Sequence, residues 1–386
     1  MKYQREIQSI HQHLTNKKIT DGPIKPTRTG YTNIKTNKVR IINMKRERIG
    51  PKIKQLRKSR ALTQKQLADA LGYSDKSMIT HIEKGDSDMT YEKILLLLRT
   101  YMLDANELFD VSEIDKRLEE FHEEKQKKVI NSVTDFYNQY DEDARLKRRY
   151  GQVEYLTTNK YIHEYLKPDN KVIEIGAGTG AYSIPLAKEG YDVTAVELVE
   201  HNLDILRAKI TEDMNIKAYQ GNALDLSMFE DESFDVTLLL GPMYHLFSKE
   251  DKIKALSEAK RITKCGGYIF VAYCMNDATI IQYAFGCNKL HELMNFKMIT
   301  DDWHCVSEEK DIFDLVRIED IDEYNKESVL TRIKIIATDG AAHYLKDYLE
   351  QMDLETFKQW VNYHLSTCER MDLIGASNHT LDILLK

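Results

Sequence analysis

The stretch that most constrains this 386-residue chain is Val172-Ile-Glu-Ile-Gly-Ala-Gly-Thr-Gly180. A run rich in β-branched residues ends there in three glycines spaced two apart, which predicts a buried strand followed by a tight turn. Glycine lets the backbone turn sharply and approach a ligand, and Gly176, Gly178 and Ala181 also satisfy the dinucleotide fingerprint G-x-G-x-x-G/A. The glycines predict an α/β fold that binds a nucleotide-type ligand, and the flanking segments have to decide which one.

Two acidic residues accompany the glycine turn. Glu174 lies two positions before the first glycine, where dinucleotide-binding enzymes do not require an acid. The next apolar run, Asp-Val-Thr-Ala-Val-Glu197, ends in a carboxylate about twenty residues after the glycines, well placed to accept hydrogen bonds from a ribose diol. Glu197 therefore fits any ligand with a ribose diol and does not distinguish between classes of nucleotide-type cofactor.

Three more segments follow in sequence. The first, Ile-Lys-Ala-Tyr-Gln-Gly-Asn222-Ala223, contains an amide that can pair with an adenine edge. The second, Phe234-Asp-Val-Thr-Leu-Leu-Leu-Gly-Pro-Met-Tyr-His245, indicates a buried strand and a break at its carboxyl end, where open α/β sheets bind ligands. The third, Lys264-Cys-Gly-Gly-Tyr-Ile-Phe-Val-Ala-Tyr273, indicates a glycine turn before a fifth strand.

In the order, spacing and acid positions of these segments, the sequence from about Tyr150 to the C-terminus resembles the class I S-adenosylmethionine-dependent methyltransferases. The resemblance implies an α/β fold with a Rossmann-like seven-stranded sheet, helices on both faces and S-adenosylmethionine as cofactor. It implies these cofactor-binding residues: Glu174 at the methionine end, Gly176, Ala177, Gly178, Gly180, Glu197, Leu198, Asn222, Ala223 and Leu240. Asn222 and Cys265 depart from the family pattern, where aspartate and proline are usual. A nicotinamide or flavin enzyme is the alternative.

A second pattern lies upstream, in Ile53-Lys-Gln-Leu-Arg-Lys-Ser-Arg-Ala-Leu-Thr-Gln-Lys-Gln-Leu-Ala-Asp-Ala-Leu-Gly72 and Lys76-Ser-Met-Ile-Thr-His-Ile-Glu-Lys-Gly85. Thr63 and Gln66 predict a capping box at the start of a helix that Gly72 ends in a left-handed conformation. Apolar residues at helical spacing are predicted to face inward: Leu67, Leu71, Ile79 and Ile82. The pattern predicts a small helical domain.

These segments resemble the Cro/C1-type (XRE family) helix-turn-helix domains of phage repressors. The resemblance implies DNA binding, with these residues near the DNA: Gln64, Lys76, Ser77, Thr80 and His81. It also implies an internal ion pair between Arg57 and Glu83. The segment from Gly72 to Gly85 has one residue more than the commonest family spacing, and we place that residue in the turn around Tyr73-Ser-Asp. A helical bundle that mediates protein contacts is the alternative.

Length and charge divide the chain further. We predict a disordered basic arm over residues 1–45, the helix-turn-helix domain over 46–110, a helical linker over 111–148 and the methyltransferase domain over 149–386. Residues 1–110 carry 22 basic and 12 acidic side chains, although the net charge of the whole chain is −7. This excess of positive charge in the N-terminal part suits contact with nucleic acid. Much of this excess lies in the first 48 residues, and a natural start at Met44 is the alternative to a basic arm.

The linker mixes Glu and Lys at helical spacing with a thin apolar stripe of Leu118, Phe121 and Val129, which predicts a helix. A homodimer through this helix would suit paired half-sites, and a solvated helix is the alternative. The five cysteines show neither C-x-x-C spacing nor a paired histidine pattern, so we expect no metal site and no disulfides. Without a long apolar run or a secretory signal, we expect a cytoplasmic protein that does not contact membranes.

The segment Gly241-Pro-Met-Tyr-His245 bears on the methyl acceptor. Amino-group nucleic-acid methyltransferases carry Asp/Asn-Pro-Pro-Tyr there, and cytosine C5 enzymes carry a Pro-Cys nucleophile that this chain lacks. The segment is similar to the Gly-Pro-Leu-Tyr-His-Leu of bacterial methyltransferases typically assigned to small acceptors, so we expect a small-molecule acceptor. Tyr244 and His245 are the candidate catalytic residues. His245 could act as a general base, and the role we favour is hydrogen bonding to the cofactor carboxylate or an adjacent helix.

Other aromatic residues are less specific. Tyr150 and Tyr155 are candidates for ligand contact, although packing is their more usual role. We expect residues 281–373 to contain an acceptor-side insertion and terminal strands, with strands near 330–337 and 381–385. No motif in that region identifies a substrate.

Three functions are consistent with these patterns. The first is a methyltransferase for a small molecule, coupled to DNA binding. The second is a transcriptional regulator whose methyltransferase-like domain senses S-adenosylmethionine or a metabolite, and the third is an RNA methyltransferase. The intact glycines and the two acids favour cofactor binding in all three. Turnover of an acceptor would support the first or the third, whereas tight cofactor binding with altered operator affinity and no turnover would support the second.

Overall fold

The computed structural model describes residues 49–103, 108, 111–140, 142–308 and 310–386. The predicted basic arm over residues 1–45, including Met44, lies outside the described residues. The described chain forms two units, one that extends to Glu124 and one that comprises Lys125–Lys386.

The first unit is helical. Its helices are α1 (residues 49–59), α2 (Gln64–Ala70), α3 (Lys76–Lys84), α4 (Tyr91–Tyr101) and the first part of α5 (Val111–Tyr137). The predicted inward-facing residues are confirmed, because Leu67, Leu71, Ile79 and Ile82 are at most 1% exposed. They pack with Ile53 of α1 in one core.

Local signals fix the ends of α2 and α3. The capping box is confirmed: Thr63 Oγ1 accepts from Gln66 N at 3.2 Å, and Gln66 Oε1 accepts from Thr63 N at 2.8 Å. Gly72, at φ +65°, follows α2 in the predicted left-handed conformation. Asp75 caps α3 by accepting from Ser77 N at 2.6 Å. Residues 71–75 therefore form the turn between the two helices.

The predicted ion pair between Arg57 and Glu83 is present and joins α1 to α3. Arg57 Nε lies 2.5 Å from Glu83 Oε1, and Arg57 Nη2 lies 3.1 Å from Glu83 Oε2. Gln64 Nε2 also donates to Glu83 Oε2, at 2.9 Å. Burial acts to raise the pKa of Glu83, but the hydrogen bonds from Arg57 and Gln64 outweigh it and lower that pKa. Glu83 therefore stays ionised inside the domain and holds three helices together.

The second unit is an α/β sheet structure. Its strands are β1 (Lys171–Ile175), β2 (Asp192–Glu197), β3 (Ile216–Gln220), β4 (Phe234–Leu239), β5 (Thr263–Cys274), β6 (Thr331–Ala337) and β7 (His379–Leu385). After α5, its α-helices are α6 (Glu142–Lys147), α7 (Arg149–Tyr165), α8 (Ser183–Lys188), α9 (Glu200–Lys209), α10 (Lys249–Ile262), α11 (Asn276–Thr279), α12 (Leu290–Asn295), α13 (Ile318–Glu327), α14 (Lys346–Gln351), α15 (Leu354–Thr367) and α16 (Met371–Ile374). A 3-10 helix covers Pro242–His245 and a π-helix covers Ile280–Gly286.

The strands form one sheet in the order β3-β2-β1-β4-β5-β7-β6. Strands β1 to β5 pair in parallel, whereas β7 pairs antiparallel with both β5 and β6. Alternate residues belong to separate cores, with Ile173 in one and Val172 in the other, so both faces are covered. The predicted seven-stranded α/β fold is confirmed, and β6 and β7 lie where the terminal strands were expected.

The predicted linker is helical, as α5 of 27 residues. Phe121 of its expected apolar stripe is 57% exposed. Farther along, Phe136 lies edge-on to Phe313 at a centroid distance of 5.8 Å, and Gln126 Nε2 donates to Asp251 Oδ1 at 3.2 Å. The end of α5 therefore packs within the second unit. The sequence placed the start of the methyltransferase domain farther along the chain, at residue 149.

Membrane crossing requires a long helix that is apolar along its length. None of the helices among the described residues meets both requirements.

Replacing Arg57 with alanine is expected to destabilise the first, helical unit by about 3 kcal/mol, because the Glu83 carboxylate would stay buried without its partner. Hydrogen exchange of α1–α4 amides, followed by mass spectrometry, measures this loss locally. Lys58→Ala, at an exposed position of α1, is the matched control and should leave the exchange rates near those of the unchanged protein. Equal protection in Arg57→Ala and Lys58→Ala would contradict this role of the ion pair.

Candidate functional site

The glycine turn follows β1 and is anchored to β2. Gly176 N and Ala177 N both donate to Val196 O, at 2.8 and 3.0 Å. Gly176, Gly178 and Gly180 have φ values of +77°, +53° and +88°, in the left-handed region that glycine adopts readily. The turn therefore needs glycine at all three positions for conformation alone.

Space around the turn distinguishes the three glycines. A Cβ at Gly176 would lie 2.7 Å from Pro242 Cδ, and one at Gly180 would lie 2.8 Å from Ile184 Cγ1. A Cβ at Gly178 would meet no atom within 4 Å. Gly176 and Gly180 thus permit close packing inside the protein, whereas Gly178 presents its backbone to open space at the carboxyl end of β1.

Glu197 ends β2 and supports the turn from the side. Its Oε2 accepts from Gly178 N at 2.8 Å, and its Oε1 accepts from Val199 N at 2.9 Å. Burial raises the pKa of Glu197, although these backbone hydrogen bonds oppose the shift. Each carboxylate oxygen can accept a further hydrogen bond, so the group can hold the loop and contact a diol together.

Glu174 lies beneath the turn, with only 2% of its surface exposed. Its Oε2 accepts from Ser183 N at 2.9 Å and also from Ser183 Oγ. Burial, assisted by the nearby Glu197 carboxylate, raises the pKa of Glu174 to about 8. Glu174 is therefore mostly protonated at neutral pH in the ligand-free protein.

The remaining predicted cofactor residues lie at the ends of neighbouring strands. Leu198 follows β2, and its carbonyl accepts from Gln220 Nε2 at 3.2 Å. Asn222 and the buried Ala223 follow β3, where Asn222 Oδ1 accepts from Leu224 N at 3.0 Å. Leu240 follows β4. Because β1 to β4 are parallel, these residues share one edge of the sheet with the glycine turn.

His245 is held on both sides of its ring. Nδ1 lies 2.7 Å from Ile312 O, and because a carbonyl only accepts, this nitrogen carries the proton. Nε2 lies 3.1 Å from Tyr137 Oη, whose hydroxyl donates to it. Deep burial lowers the pKa of His245 to about 4, so the ring is neutral. This geometry favours the hydrogen-bonding role over that of a general base.

The other predicted aromatic residues are also packed. Tyr244 Oη donates to Leu240 O at 3.1 Å. Tyr150 is 7% exposed, and its ring lies edge-on to His343 at 4.9 Å. Tyr155 lies against Tyr182 at 5.4 Å. Packing is the more usual role of aromatic residues that precede the first strand of this fold, and it accounts for the position of Tyr150.

Three residues that contact members of the candidate site were not predicted from the sequence. Ser183 binds Glu174, Pro242 lies under Gly176, and Tyr137 donates to His245. Of these, Ser183 had a local signal, since it is a hydroxyl residue at the start of the helix after the glycines. Tyr137 is 108 residues from its partner and had none.

The predicted DNA-contacting residues lie on α2 and α3. Lys76, Ser77 and His81 are exposed along α3, and Thr80 is half-buried. Thr80 Oγ1 lies within 3.2 Å of Gln64 Oε1, so these two side chains meet between the helices. They contribute to a groove of about 420 Å³ lined by Lys54, Arg57, Thr63, Gln64, Thr80, Glu83 and Lys84. Polar and basic side chains thus share one face of the unit.

Family models match both units: residues 172–267 match a methyltransferase domain, and residues 53–108 match a helix-turn-helix. An uncharacterized methyltransferase of Schizosaccharomyces pombe is 27% identical over 135 residues, covering 32% of this chain and 46% of that protein. A demethylmenaquinone methyltransferase of Staphylococcus aureus is 32% identical over 108 residues, covering 27% and 43%. The chain spans less than half the length of the curated relatives it matches.

Among solved structures, an S-adenosylmethionine-dependent methyltransferase from Methanosarcina mazei aligns with a TM-score of 0.40 and 17% identity, over 58% of this chain and 96% of that one. The two matched families agree with the two units of the fold and with their sequence motifs. Residues 53–108 are therefore similar to helix-turn-helix domains, and residues 172–267 are similar to methyltransferase domains.

Proposed function

We propose that the chain transfers a methyl group from S-adenosylmethionine to a small-molecule acceptor and binds DNA through its helix-turn-helix domain. The observation that carries the first part is the glycine turn, in which Gly178 presents bare backbone beside the Glu197 carboxylate at the carboxyl edge of the sheet. A side chain there would occupy the space that a ligand needs to reach the backbone. The residues present thus fit the cofactor.

In this proposal the cofactor lies along the ends of β1 to β4. Gly176, Ala177, Gly178 and Gly180 form the turn beneath it, Glu174 faces its amino-acid end, Glu197 and Leu198 face the ribose, and Asn222, Ala223 and Leu240 surround the adenine. When bound, S-adenosylmethionine supplies a methyl carbon activated by the sulfonium. The protein then has to position an acceptor nucleophile about 3 to 3.5 Å from that carbon.

Tyr244 and His245 act in this scheme by shaping the acceptor side. His245 ties the 3-10 helix after β4 to Ile312 and to Tyr137 of α5. With both ring nitrogens engaged, it fixes the position of Tyr244 and of the loop that carries Gly241 and Pro242. We therefore assign His245 a positioning role rather than proton removal.

DNA binding is proposed from the exposed face of α3. Lys76, Ser77 and His81 can reach base edges or phosphates, while Gln64 and Thr80 meet at the start of the same face. The ion pair of Arg57 with Glu83 lines the same groove as Gln64 and Thr80 and joins α1 to α3.

Gly178→Val is expected to abolish S-adenosylmethionine binding, because the new side chain would fill the space above the turn. Isothermal titration of S-adenosylmethionine and, separately, of NAD into the full chain measures this. Gly190→Val is the matched control, since Gly190 also has a positive φ, of +99°, and no atom within 4 Å of a Cβ. Unchanged affinity in Gly178→Val, or a preference for NAD, would overturn the site assignment.

The affinity for S-adenosylmethionine should rise between pH 6 and 7.5, by up to about tenfold per pH unit. Glu174, with a pKa of about 8, holds a proton in the free protein, and the ammonium of the cofactor would favour its ionised form. Binding then releases a proton, so a higher pH favours the complex. The titratable groups facing Glu174 are Glu197 and Tyr182.

Titration calorimetry in two buffers of different ionisation enthalpy counts the released proton. Glu174→Gln keeps the acceptor for Ser183 but cannot ionise, so its affinity should be weaker and nearly independent of pH over this range. The same pH dependence in both proteins would show that Glu174 does not face the cofactor.

Thr80→Ala combined with His81→Ala is expected to weaken binding to a specific duplex at least tenfold, taking each lost base contact as about 1–3 kcal/mol. The duplex is first selected from a random library with the full chain, and fluorescence anisotropy then gives the affinities. Tyr91→Ala, on the exposed face of α4, is the control. If the double variant binds the duplex like the control, the assignment of α3 as recognition helix fails.

A further inference from the structure

A cluster of three side chains lies at the carboxyl edge of the sheet, away from the glycine turn along the strand order. Asp339 follows β6, His379 opens β7, and His343 lies four residues after Asp339. Their ligand atoms, one carboxylate oxygen and one nitrogen from each ring, lie within 4.8 Å of one another. Neither the proposed methyl transfer nor DNA binding uses these residues.

The Asp339 carboxylate is oriented by its surroundings. Its Oδ1 accepts from Asn378 N at 3.0 Å, from His379 N at 3.2 Å and from Ser377 Oγ. These bonds leave Oδ2 directed at the two imidazoles, 2.8 Å from His379 Nδ1 and 3.6 Å from His343 Nε2. Outer hydrogen bonds that fix a carboxylate in this way are typical of metal ligands.

The spacing of the donors suits a small ion. Bonds of about 2.0 to 2.2 Å from zinc to nitrogen and oxygen place tetrahedral donors roughly 3.3 Å apart. The two distances from Asp339 Oδ2 lie on either side of that value. A carboxylate with two imidazoles is a donor set for first-row transition ions rather than for calcium or magnesium, which prefer oxygen ligands.

His343 supplies an independent observation. Both of its ring nitrogens are buried, and neither has a hydrogen-bond partner among the described residues. Its ring is packed edge-on against Tyr150, which limits its motion. A buried imidazole without a partner is costly unless something else, such as a metal ion, engages a nitrogen.

Two carboxylates and one guanidinium lie beside the imidazoles. Glu154 Oε2 lies 3.6 Å from His379 Nδ1, so a second carboxylate borders the cluster. Arg145 pairs with Glu154, at 2.5 Å, and offsets one of the two negative charges.

We propose that Asp339, His343 and His379 bind a divalent first-row transition ion such as Zn²⁺, through Oδ2 of the aspartate and one nitrogen of each histidine. The sequence predicted no metal site, because it contains no cysteine or histidine spacing of a known metal motif. The site does not depend on the proposed methyl transfer, and it is tested with the metal alone.

The test uses the full chain after removal of metals by a chelator and dialysis. Titration calorimetry with Zn²⁺ should show one ion bound per chain, and Co²⁺ should give visible absorption bands of a low-coordinate nitrogen and oxygen site. Since loss of an outer partner alone costs 10–100-fold in affinity, His343→Ala should weaken Zn²⁺ binding at least about 100-fold. His304→Ala, which removes a histidine 3.5 Å from the single carboxylate of Asp320, is the matched control and should bind like the unchanged chain.

Asp339→Asn is a second variant that tests the site even if His343→Ala does not fold. It keeps the size of the side chain and an oxygen that can accept from the amides of Asn378 and His379. It should lose Zn²⁺ to the same extent while its circular dichroism and melting temperature stay close to those of the unchanged chain. Failure of the unchanged chain to bind Zn²⁺ or Co²⁺, or unchanged affinity in either folded variant, would overturn the proposal.

Discussion

The α/β unit depends on the attachment of the glycine turn to β2. The consecutive amides of Gly176 and Ala177 both donate to the carbonyl of Val196. The following amide, that of Gly178, donates to the Glu197 carboxylate. Because Ile175 and Val196 are paired in register, these bonds form only when β1 and β2 are correctly aligned. The alignment of the two strands thus fixes the position of the glycine turn. The position of this loop then determines which backbone atoms face the carboxyl edge of the sheet.

The sequence could predict these elements because their signals are local. Glycines spaced two apart at the end of an apolar run permit a tight turn there, and the apolar runs around Val172 and Val236 fit strands buried on both faces. The capping box of Thr63 with Gln66 spans four residues and can likewise be recognised directly in the sequence. Distant contacts carry no such pattern. The approach of Pro242 to Gly176 depends on how β4 lies beside β1, which a linear pattern does not specify.

The same distinction applies to the two roles considered for His245. From the sequence, an imidazole beside a predicted ligand pocket is a reasonable base, because its usual pKa is near neutrality. The fold places Ile312 and Tyr137 against its two nitrogens, and both come from segments more than sixty residues away. Burial then lowers the pKa of the ring to about 4, so proton uptake at neutral pH is unfavourable. The chemistry of the residue type was apparent from the sequence, but its surroundings were not.

The proposed metal site follows from the antiparallel strand at the end of the sheet. β6 runs parallel to β1–β5, and β7 runs against it, so the end of β6 and the start of β7 meet at one edge. Asp339 and His379, forty residues apart in sequence, therefore become neighbours by topology rather than by motif. Parallel strands present only their carboxyl ends to this edge, whereas β7 contributes its first residue. Insertion of one reversed strand thus adds side chains to the edge where such sheets bind their ligands.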